Sequence, residues 1–197
     1  MVNIAVFVSG SGTNLQALID ACKNQEINGE IKLVISNRKK AYGLERARLA
    51  GIKAEWIKDE DIIIKRLEEE QIDLIVLAGY LAIVSEKLIS KFENKIINIH
   101  PSLIPSFCGE GYYGIHVHEA CFKRGCKVSG ATVHFVSAVV DGGPIILQRS
   151  IDIRDCKTPE EIQEKILLNI EHKILKEAVA LYCDNKLKVE NERVEII

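Results

Sequence analysis

Apolar runs alternate with amphipathic stretches along the first hundred residues of the chain. The first apolar run covers residues 2–8, and residues 14–23 then repeat apolar side chains at the spacing of one helical face. The same alternation predicts strands at residues 31–36, 53–57 and 73–78 and helices at residues 43–50, 61–71 and 85–92. This order predicts an α/β fold with a doubly wound, mainly parallel sheet and right-handed crossovers.

The pattern changes after residue 100. Residues 101–115 form a loop rich in glycine and tyrosine, and so long a loop in a compact domain is usually functional or mobile. A short helix is predicted at residues 118–124. Two β-rich segments follow at residues 128–136 and 145–153, and they could pair antiparallel and make the sheet mixed.

The last helix is predicted to run from Pro159 to about Tyr182, with Thr158 as its cap. It begins with a T-x-x-E capping box and a proline at its first position. Glu171 lies on an apolar side of this helix, where a carboxylate is costly unless it meets a partner or a polar ligand. The alternative is a side chain that reaches water past the neighbouring leucines, and the sequence leaves both readings open.

Composition and charge narrow the class of protein. The 197 residues fit one domain, and 47% hydrophobic with 27% charged residues is ordinary for a soluble globular protein. A formal net charge of -2 without a Lys/Arg block argues against nucleic acid as the main partner. No apolar run approaches the ~20 residues of a membrane span, so no membrane partner is expected. The six cysteines lack C-x-x-C pairing, which favours reduced thiols in a cytoplasmic protein over zinc or disulfide frameworks.

Asn98 and His100 carry the strongest chemical signal. Alternate side chains of a strand share a face, so Asn98 and His100 project together while Ile97 and Ile99 pack on the other face. Pro101 should end the strand. Open α/β sheets bind ligands at the carboxyl ends of their strands, so this amide and imidazole predict a functional site rather than a strand end turned to solvent.

Residues 9–14 read S-G-S-G-T-N and join the first strand to the first helix. Glycines let the backbone approach an anion, and free N–H groups at a helix start point toward it. The dinucleotide fingerprint needs a third glycine at the position of Leu15 and an acid after the second strand, and both are missing. NAD is therefore disfavoured and a single phosphate favoured. The alternative is a tight turn in which Thr13 or Asn14 caps the helix.

Asp141 precedes Gly142 between two predicted strands. Asp-Gly is a common turn pair, but the connection is longer than a tight hairpin needs, which leaves room for Asp141 to enter a site. An aspartate facing His100 would favour the imidazolium. A non-catalytic nucleotide-binding protein would have no need of Asn98, His100 and Asp141 together.

The remaining histidines give weaker signals. His116 and His118, followed by Glu119, lack a third ligand at any recognised spacing, so no metal site is predicted and partly exposed histidines at a loop–helix junction are favoured. His134 lies on an apolar strand and is expected to be structural or to support the site from behind.

Six motifs together point to one family. They are S-G-S-G-T-N-L-Q at 9–16, Y-G-L-E-R-A-R at 42–48, L-A-G-Y at 77–80, N-I-H-P-S-L-I-P at 98–105, T-V-H-F-V at 132–136 and D-G-G-P-I-I-L-Q at 141–148. In these six motifs the chain resembles the phosphoribosylglycinamide formyltransferases, which are members of the family that uses formyl-tetrahydrofolate. The resemblance implies a single formyltransferase domain over 1–197, with a phosphate-binding half at 1–100 and a folate-site half at 101–197.

The resemblance also implies a reaction and its residues. The amine of glycinamide ribonucleotide would attack the formyl carbon of 10-formyltetrahydrofolate, the co-substrate, in purine biosynthesis. Asn98 and protonated His100 would donate hydrogen bonds to the oxyanion of a tetrahedral intermediate, and Asp141 would hold His100 charged and help to move a proton. The residues that match the substrate side are Gly12, Thr13 and Asn14 for the phosphate and Glu171 for the sugar hydroxyls.

The folate side is matched by two wall segments. The matching residues are Leu81, Ala82, Ile83, Val84, Asn98, Ser137, Ala138, Val139, Val140 and Asp141. Ala82 stands where many relatives have arginine, and no residue is assigned to the basic group that often meets the folate's glutamate tail. We expect residues 108–114 to act as a lid, and the protein to be a monomer or a homodimer.

Overall fold

The computed structural model describes all residues from 1 to 197. The strands are β1 (Val2–Val8), β2 (Gly29–Ser36), β3 (Lys53–Trp56), β4 (Leu74–Leu77), β5 (Ile96–His100), β6 (Val128–Phe135), β7 (Ile145–Asp152), β8 (Leu187–Glu190) and β9 (Arg193–Ile196). The helices are α1 (Thr13–Lys23), α2 (Tyr42–Leu49), α3 (Glu60–Glu69), α4 (Glu86–Lys91), α5 (Ile115–Arg124), α6 (Pro159–Ile166) and α7 (His172–Cys183). A π-helical turn (Leu167–Glu171) joins α6 to α7.

Seven strands form one mixed sheet in the order β3-β2-β1-β4-β5-β6-β7. The first five of these are parallel, whereas β6 runs antiparallel to both β5 and β7. The α/β class, the parallel half and the antiparallel pairing of the two late β-rich segments confirm the sequence prediction. None of the helices is long and apolar enough to cross a bilayer.

The central strands are buried on both faces because helices cover each side of the sheet. In β1, Val6 packs in a core shared with α1 and α7, while the next residue, Phe7, packs in a second core shared with α3 and α4. Neighbouring side chains of a strand point to opposite faces, so a continuous apolar run is what a doubly covered strand requires.

The strand order places a crevice at the carboxyl edge of the sheet. From β1 the chain moves outward to β2 and β3, then returns to the other side of β1 to form β4 and β5. The loops that follow β1 and β4 therefore diverge. Such a switch point is where open α/β sheets bind their ligands.

Two helices differ from the sequence prediction. The predicted helix at 118–124 begins at Ile115, directly after Gly114, whose φ of 54° turns the chain into it. The sequence predicts one continuous last helix. In the structure the π-helical turn divides this helix into α6 and α7, and α7 ends at Cys183. A π turn holds one extra residue, and the regular spacing of apolar positions on either side conceals it.

The hairpin of β8 and β9 has no counterpart in the sequence prediction. Its strands are only four residues long, and the turn residues Asn191 and Glu192 both have positive φ, as a tight two-residue hairpin turn requires. Glu192 is not one of the residue types by which such turns are recognised in a sequence.

Candidate active site

A cleft of about 510 Å³ opens at the switch point of the sheet. Every residue that the sequence assigns to a site lines this cleft: Gly12, Thr13, Asn14, Leu81, Ala82, Ile83, Val84, Asn98, His100, Ser137, Ala138, Val139, Val140, Asp141 and Glu171. The cleft thus brings residues from both halves of the chain together, while the role of each one stays a prediction.

His100 and Asp141 face each other at the end of β5. The His100 Nδ1 atom lies 3.4 Å from Asp141 Oδ2, and the Nε2 atom lies 2.8 Å from the carbonyl oxygen of Phe107. Asp141 also accepts a hydrogen bond of 2.9 Å from the backbone N–H of Gly109. Both ring nitrogens of His100 therefore face oxygen acceptors, an arrangement that the doubly protonated ring satisfies best.

The position of Asp141 depends on a close backbone approach behind it. A Cβ at Gly143 would lie 1.9 Å from the carbonyl oxygen of Phe135, so only glycine fits where the connection rejoins the sheet. Asp141 itself has a φ of 55°, which aspartate and asparagine tolerate better than most residues. The reading of Asp141 as a residue that enters the site is supported by this geometry.

Protonation of the pair is set by competing effects. Burial lowers the pKa of His100 below its ordinary value, while Asp141 and the Phe107 carbonyl oppose this without cancelling it. The net direction is opposite to the expectation of a His100 held charged by Asp141, because the desolvation of a buried ring outweighs one carboxylate. Burial also raises the pKa of Asp141, but the nearby His134 and His100 rings and the hydrogen bond from the Gly109 N–H leave that pKa below its usual value.

Asn98 joins the pair through its side-chain amide. Its Nδ2 atom lies 3.1 Å from His134 Nε2 and 3.5 Å from Asp141 Oδ1. The His134 Nδ1 atom lies 2.8 Å from the Phe135 carbonyl oxygen, so that N–H donates there and leaves Nε2 to accept from Asn98. The long contact to Asp141 leaves the second amide hydrogen of Asn98 available to a ligand.

The loop after β1 presents unpaired backbone donors to the cleft. Gly12, with a φ of 73°, is the cap residue of α1, and no side chain caps this helix. The alternative reading of Thr13 or Asn14 as a side-chain cap is therefore wrong. A Cβ at Gly12 would lie 2.6 Å from the Cα of Gly43, because the loop packs tightly on α2. An uncapped helix start carries partial positive charge and suits an anion.

Glu171 is buried at the end of the π-helical turn, with 7% of its surface exposed. The Nδ2 atom of Asn14 donates a hydrogen bond of 2.8 Å to Glu171 Oε2. Burial raises the pKa of Glu171 to about 7, and the hydrogen bond from Asn14 opposes this only in part. Of the two readings that the sequence leaves open, the structure supports a carboxylate that meets a partner beside the cleft.

The end of the cleft away from the loop after β1 is open and apolar. Leu81, Ile83, Val139 and Val140 are exposed large side chains on its two walls. Exposed apolar side chains gathered around a concave surface are typical of a site for an aromatic or apolar ligand.

His118 is more deeply buried than the sequence predicts. His116 is exposed, as expected, and its Nδ1 atom lies 2.8 Å from Glu119 Oε2. His118 is only 1% exposed, and neither of its ring nitrogens has a hydrogen-bond partner. Burial lowers the pKa of His118 to about 4, and the charge of His100 adds to the effect. Because α5 begins earlier than predicted, His118 lies on its buried face beside Val117.

Other contributions to the site had no sequence signal. The Phe107 carbonyl and the Gly109 N–H are backbone groups, so their residue types say nothing about their role. Gln163 and Leu167 also line the cleft, and the long apolar pattern around them predicted only a packed helix.

Comparisons with known proteins agree with this geometry. Residues 2–179 match the sequence profile of a family described as formyl transferase. The chain belongs to the formyl transferase family. It is 36% identical over 198 residues to the phosphoribosylglycinamide formyltransferase of Escherichia coli, a match that covers 95% of this chain and 90% of that protein. The enzyme of the same name from Haemophilus influenzae is 41% identical over 174 residues, with 84% and 80% covered.

A solved structure of a family member has the same fold. The glycinamide ribonucleotide transformylase 1 of Symbiobacterium toebii superposes with a TM-score of 0.93 at 41% sequence identity. The match covers all of this chain and 94% of that one. The mixed sheet of this protein is thus a formyltransferase fold, which confirms the resemblance found in the sequence.

Proposed function

We propose that this protein transfers the formyl group of 10-formyltetrahydrofolate to the amine of glycinamide ribonucleotide, a step of purine biosynthesis. The observation that carries the proposal is the 3.4 Å approach of Asp141 to His100 in a cleft between an anion-binding loop and an apolar wall. The cleft offers a place for a phosphorylated amine at one end and for a flat pterin at the other.

Asn98 and His100 stabilise the developing negative charge in this proposal. The amine attacks the formyl carbon, a C–N bond forms, and the formyl oxygen becomes an oxyanion. The free amide hydrogen of Asn98 and the Nδ1–H of the protonated His100 ring donate to that oxygen, since Nε2 already faces the Phe107 carbonyl. A donor of this kind is typically worth ~3 kcal/mol of transition-state stabilisation.

Asp141 governs the charge of His100 during the reaction. Burial favours the neutral ring before reaction, and the oxyanion adds a second negative neighbour that favours the imidazolium. The proton that the attacking amine loses passes, through water beside Asp141 and His100, to the folate nitrogen. The bond from that nitrogen to the formyl carbon then breaks, and N-formylated ribonucleotide and tetrahydrofolate leave.

The loop at Gly12 and Thr13 binds the substrate phosphate. Its unpaired N–H groups and the start of α1 supply donors and partial positive charge. Glu171, anchored by Asn14, accepts hydrogen bonds from the sugar hydroxyls, which would explain a carboxylate among apolar side chains.

The apolar end of the cleft binds the pterin of the reduced folate. The segments at residues 81–84 and 137–140 form its two walls. The reaction itself needs no metal in this proposal, because the charged intermediate is met by side-chain donors.

The proposal is tested by incubating the purified protein with both substrates. We expect the ribonucleotide to gain one formyl group in place of an amine hydrogen, as tetrahydrofolate appears in equal amount. Controls omit the ribonucleotide or replace it with glycinamide. Formate release without formylated product would identify a hydrolase instead, and consumption of neither substrate would refute the proposal.

A further inference from the structure

The Y-G-L-E-R-A-R motif at residues 42–48 forms the first turns of α2, directly behind the loop at residues 9–14. The backbone N–H of Gly43 donates a hydrogen bond of 3.1 Å to the Gly10 carbonyl, and Gly12 lies against Gly43 too closely for any side chain. The motif therefore serves as the support on which this loop rests.

Arg46 is the cation that this support brings to the loop. Its Nε atom donates a hydrogen bond of 2.8 Å to the carbonyl oxygen of Ser11, and its Nη1 atom donates one of 3.2 Å to Gln16 Oε1. The guanidinium also lies over the ring of Tyr42, with its Cζ atom 5.0 Å from the ring centre. Three different groups thus fix a half-buried arginine in one orientation.

No carboxylate pairs with Arg46. Arg48, on the same helix, lies 3.5 Å from Glu45, and other arginines such as Arg66 and Arg149 meet carboxylates as well. The partners of Arg46 are a carbonyl, an amide oxygen and an aromatic ring, all of them uncharged. A positive charge next to the loop is left without a counter-charge from the protein.

The hydrogen bond to Ser11 also orients a donor. In a planar trans peptide the C=O and the following N–H point in opposite directions. Because Arg46 holds the Ser11 carbonyl on the side of α2, the N–H of Gly12 in the same peptide points the other way. Ser11 and Gly12 line the cleft and Arg46 does not, so the arginine acts from behind the loop.

We propose that Arg46 is a positioning residue for the phosphate of the ribonucleotide, fixing the Ser11–Gly12 peptide so that it donates to the phosphate and supplying an uncompensated positive charge behind it. The inference rests on the proposed function for the identity of the substrate, but its chemistry requires only a phosphate monoester in the loop. Arg46 is therefore a determinant of selectivity for phosphorylated over unphosphorylated ligands.

The test compares the binding of glycinamide ribonucleotide with that of the riboside, which lacks the phosphate, by calorimetry. For Arg46→Gln we expect the dissociation constant of the ribonucleotide to rise about tenfold or more and that of the riboside to change less than twofold. Arg46→Lys keeps the charge without the planar fork, so it should recover only part of the affinity. Arg48→Gln, which removes a neighbouring arginine that does not touch the loop, should leave both ligands unaffected.

Kinetics provide a second readout. Arg46→Gln should raise the KM for the ribonucleotide, with kcat and the KM for the folate changed less than about threefold. Equal weakening of ribonucleotide and riboside would overturn the inference, because the residue would then be merely structural. A rise confined to the folate KM would overturn it too. Should Arg46→Gln fail to fold, the same comparison of ribonucleotide and riboside is made with Arg46→Lys.

Failure of the proposed function is distinguishable from failure of this inference. A wild-type protein that prefers the ribonucleotide to the riboside but transfers no formyl group would refute the proposed function while leaving the role of Arg46 to be decided by the binding experiment. A wild-type protein that binds both ligands equally would refute the inference whatever its activity.

Discussion

The Asp141 carboxylate lies 3.4 Å from the ring of His100, although the two residues are far apart along the chain. His100 ends β5, and Asp141 belongs to the connection between β6 and β7. Because β6 runs antiparallel to β5, it passes His100 at Thr132 and ends at Phe135, opposite Ile97. The connection that follows turns back toward the carboxyl end of β5 and brings Asp141 to His100. An acid that faces a buried imidazole gives the ring two accessible charge states, which proton transfer at neutral pH requires.

Replacing His100 should abolish turnover without abolishing binding. His100→Ala removes an oxyanion donor and a proton carrier, so we expect kcat to fall by roughly 100-fold or more. Calorimetry should show ribonucleotide affinity within about threefold of wild type, because the phosphate loop lies elsewhere in the cleft. His116→Ala, which removes an exposed histidine outside the cleft, serves as the control and should retain full activity. Near-normal turnover of His100→Ala would contradict the mechanism.

Glu171 should make the protein less stable as the pH rises. Burial raises its pKa from 4.5 to about 7, so its contribution to stability is fully present below pH 4.5 and is lost as the pH rises through 7. The difference between those pKa values corresponds to about 3 kcal/mol at most. Glu171→Gln stays neutral, and urea unfolding at pH 5 and pH 8 should show the variant gaining stability over wild type at the higher pH only.

The control for Glu171 is Glu164→Gln, which neutralises an exposed glutamate of α6. This variant should differ from wild type by the same small amount at both values of pH. A Glu171→Gln protein with no pH-dependent gain would mean that water solvates the carboxylate, as in the alternative reading of this residue.

Asn14 should affect the ribonucleotide and not the folate. Asn14→Ala leaves Glu171 without the donor that holds it beside the cleft, so we expect the KM for the ribonucleotide to rise about tenfold and the folate KM to stay within twofold. Asn24→Ala, at the exposed end of the same helix, should change neither constant. Equal rises in both constants would show that Asn14 supports the fold rather than the substrate.

Much of the fold follows from local patterns. The continuous apolar run of β1 and the helical spacing of apolar residues in α1 are both visible in a single sequence, and the loop between them lies where the pattern changes. The position of Asn98 and His100 on the same face of β5 likewise follows from the alternation of side chains along a strand.

What the sequence could not predict depends on backbone geometry or on long-range packing. The π-helical turn shifts Glu171 by one residue without disturbing the apolar spacing around it. The Phe107 carbonyl acts through the backbone, so no residue type marks it. The lowered pKa of His100 comes from burial by the whole fold, and the residue types of His100 and Asp141 do not reveal that burial.

The central claim is that the charge of Asp141 drives formyl transfer through His100, and the turnover number of Asp141→Asn tests it most directly. Asparagine is nearly isosteric and tolerates the φ of 55° at this position, so the variant should melt and bind ribonucleotide like wild type. Asp155→Asn, at an exposed aspartate, controls for the substitution itself. With both substrates saturating, we predict that kcat of Asp141→Asn falls by at least about 100-fold, since the pKa of His100 drops further without its partner. A folded Asp141→Asn protein with wild-type kcat would contradict the account.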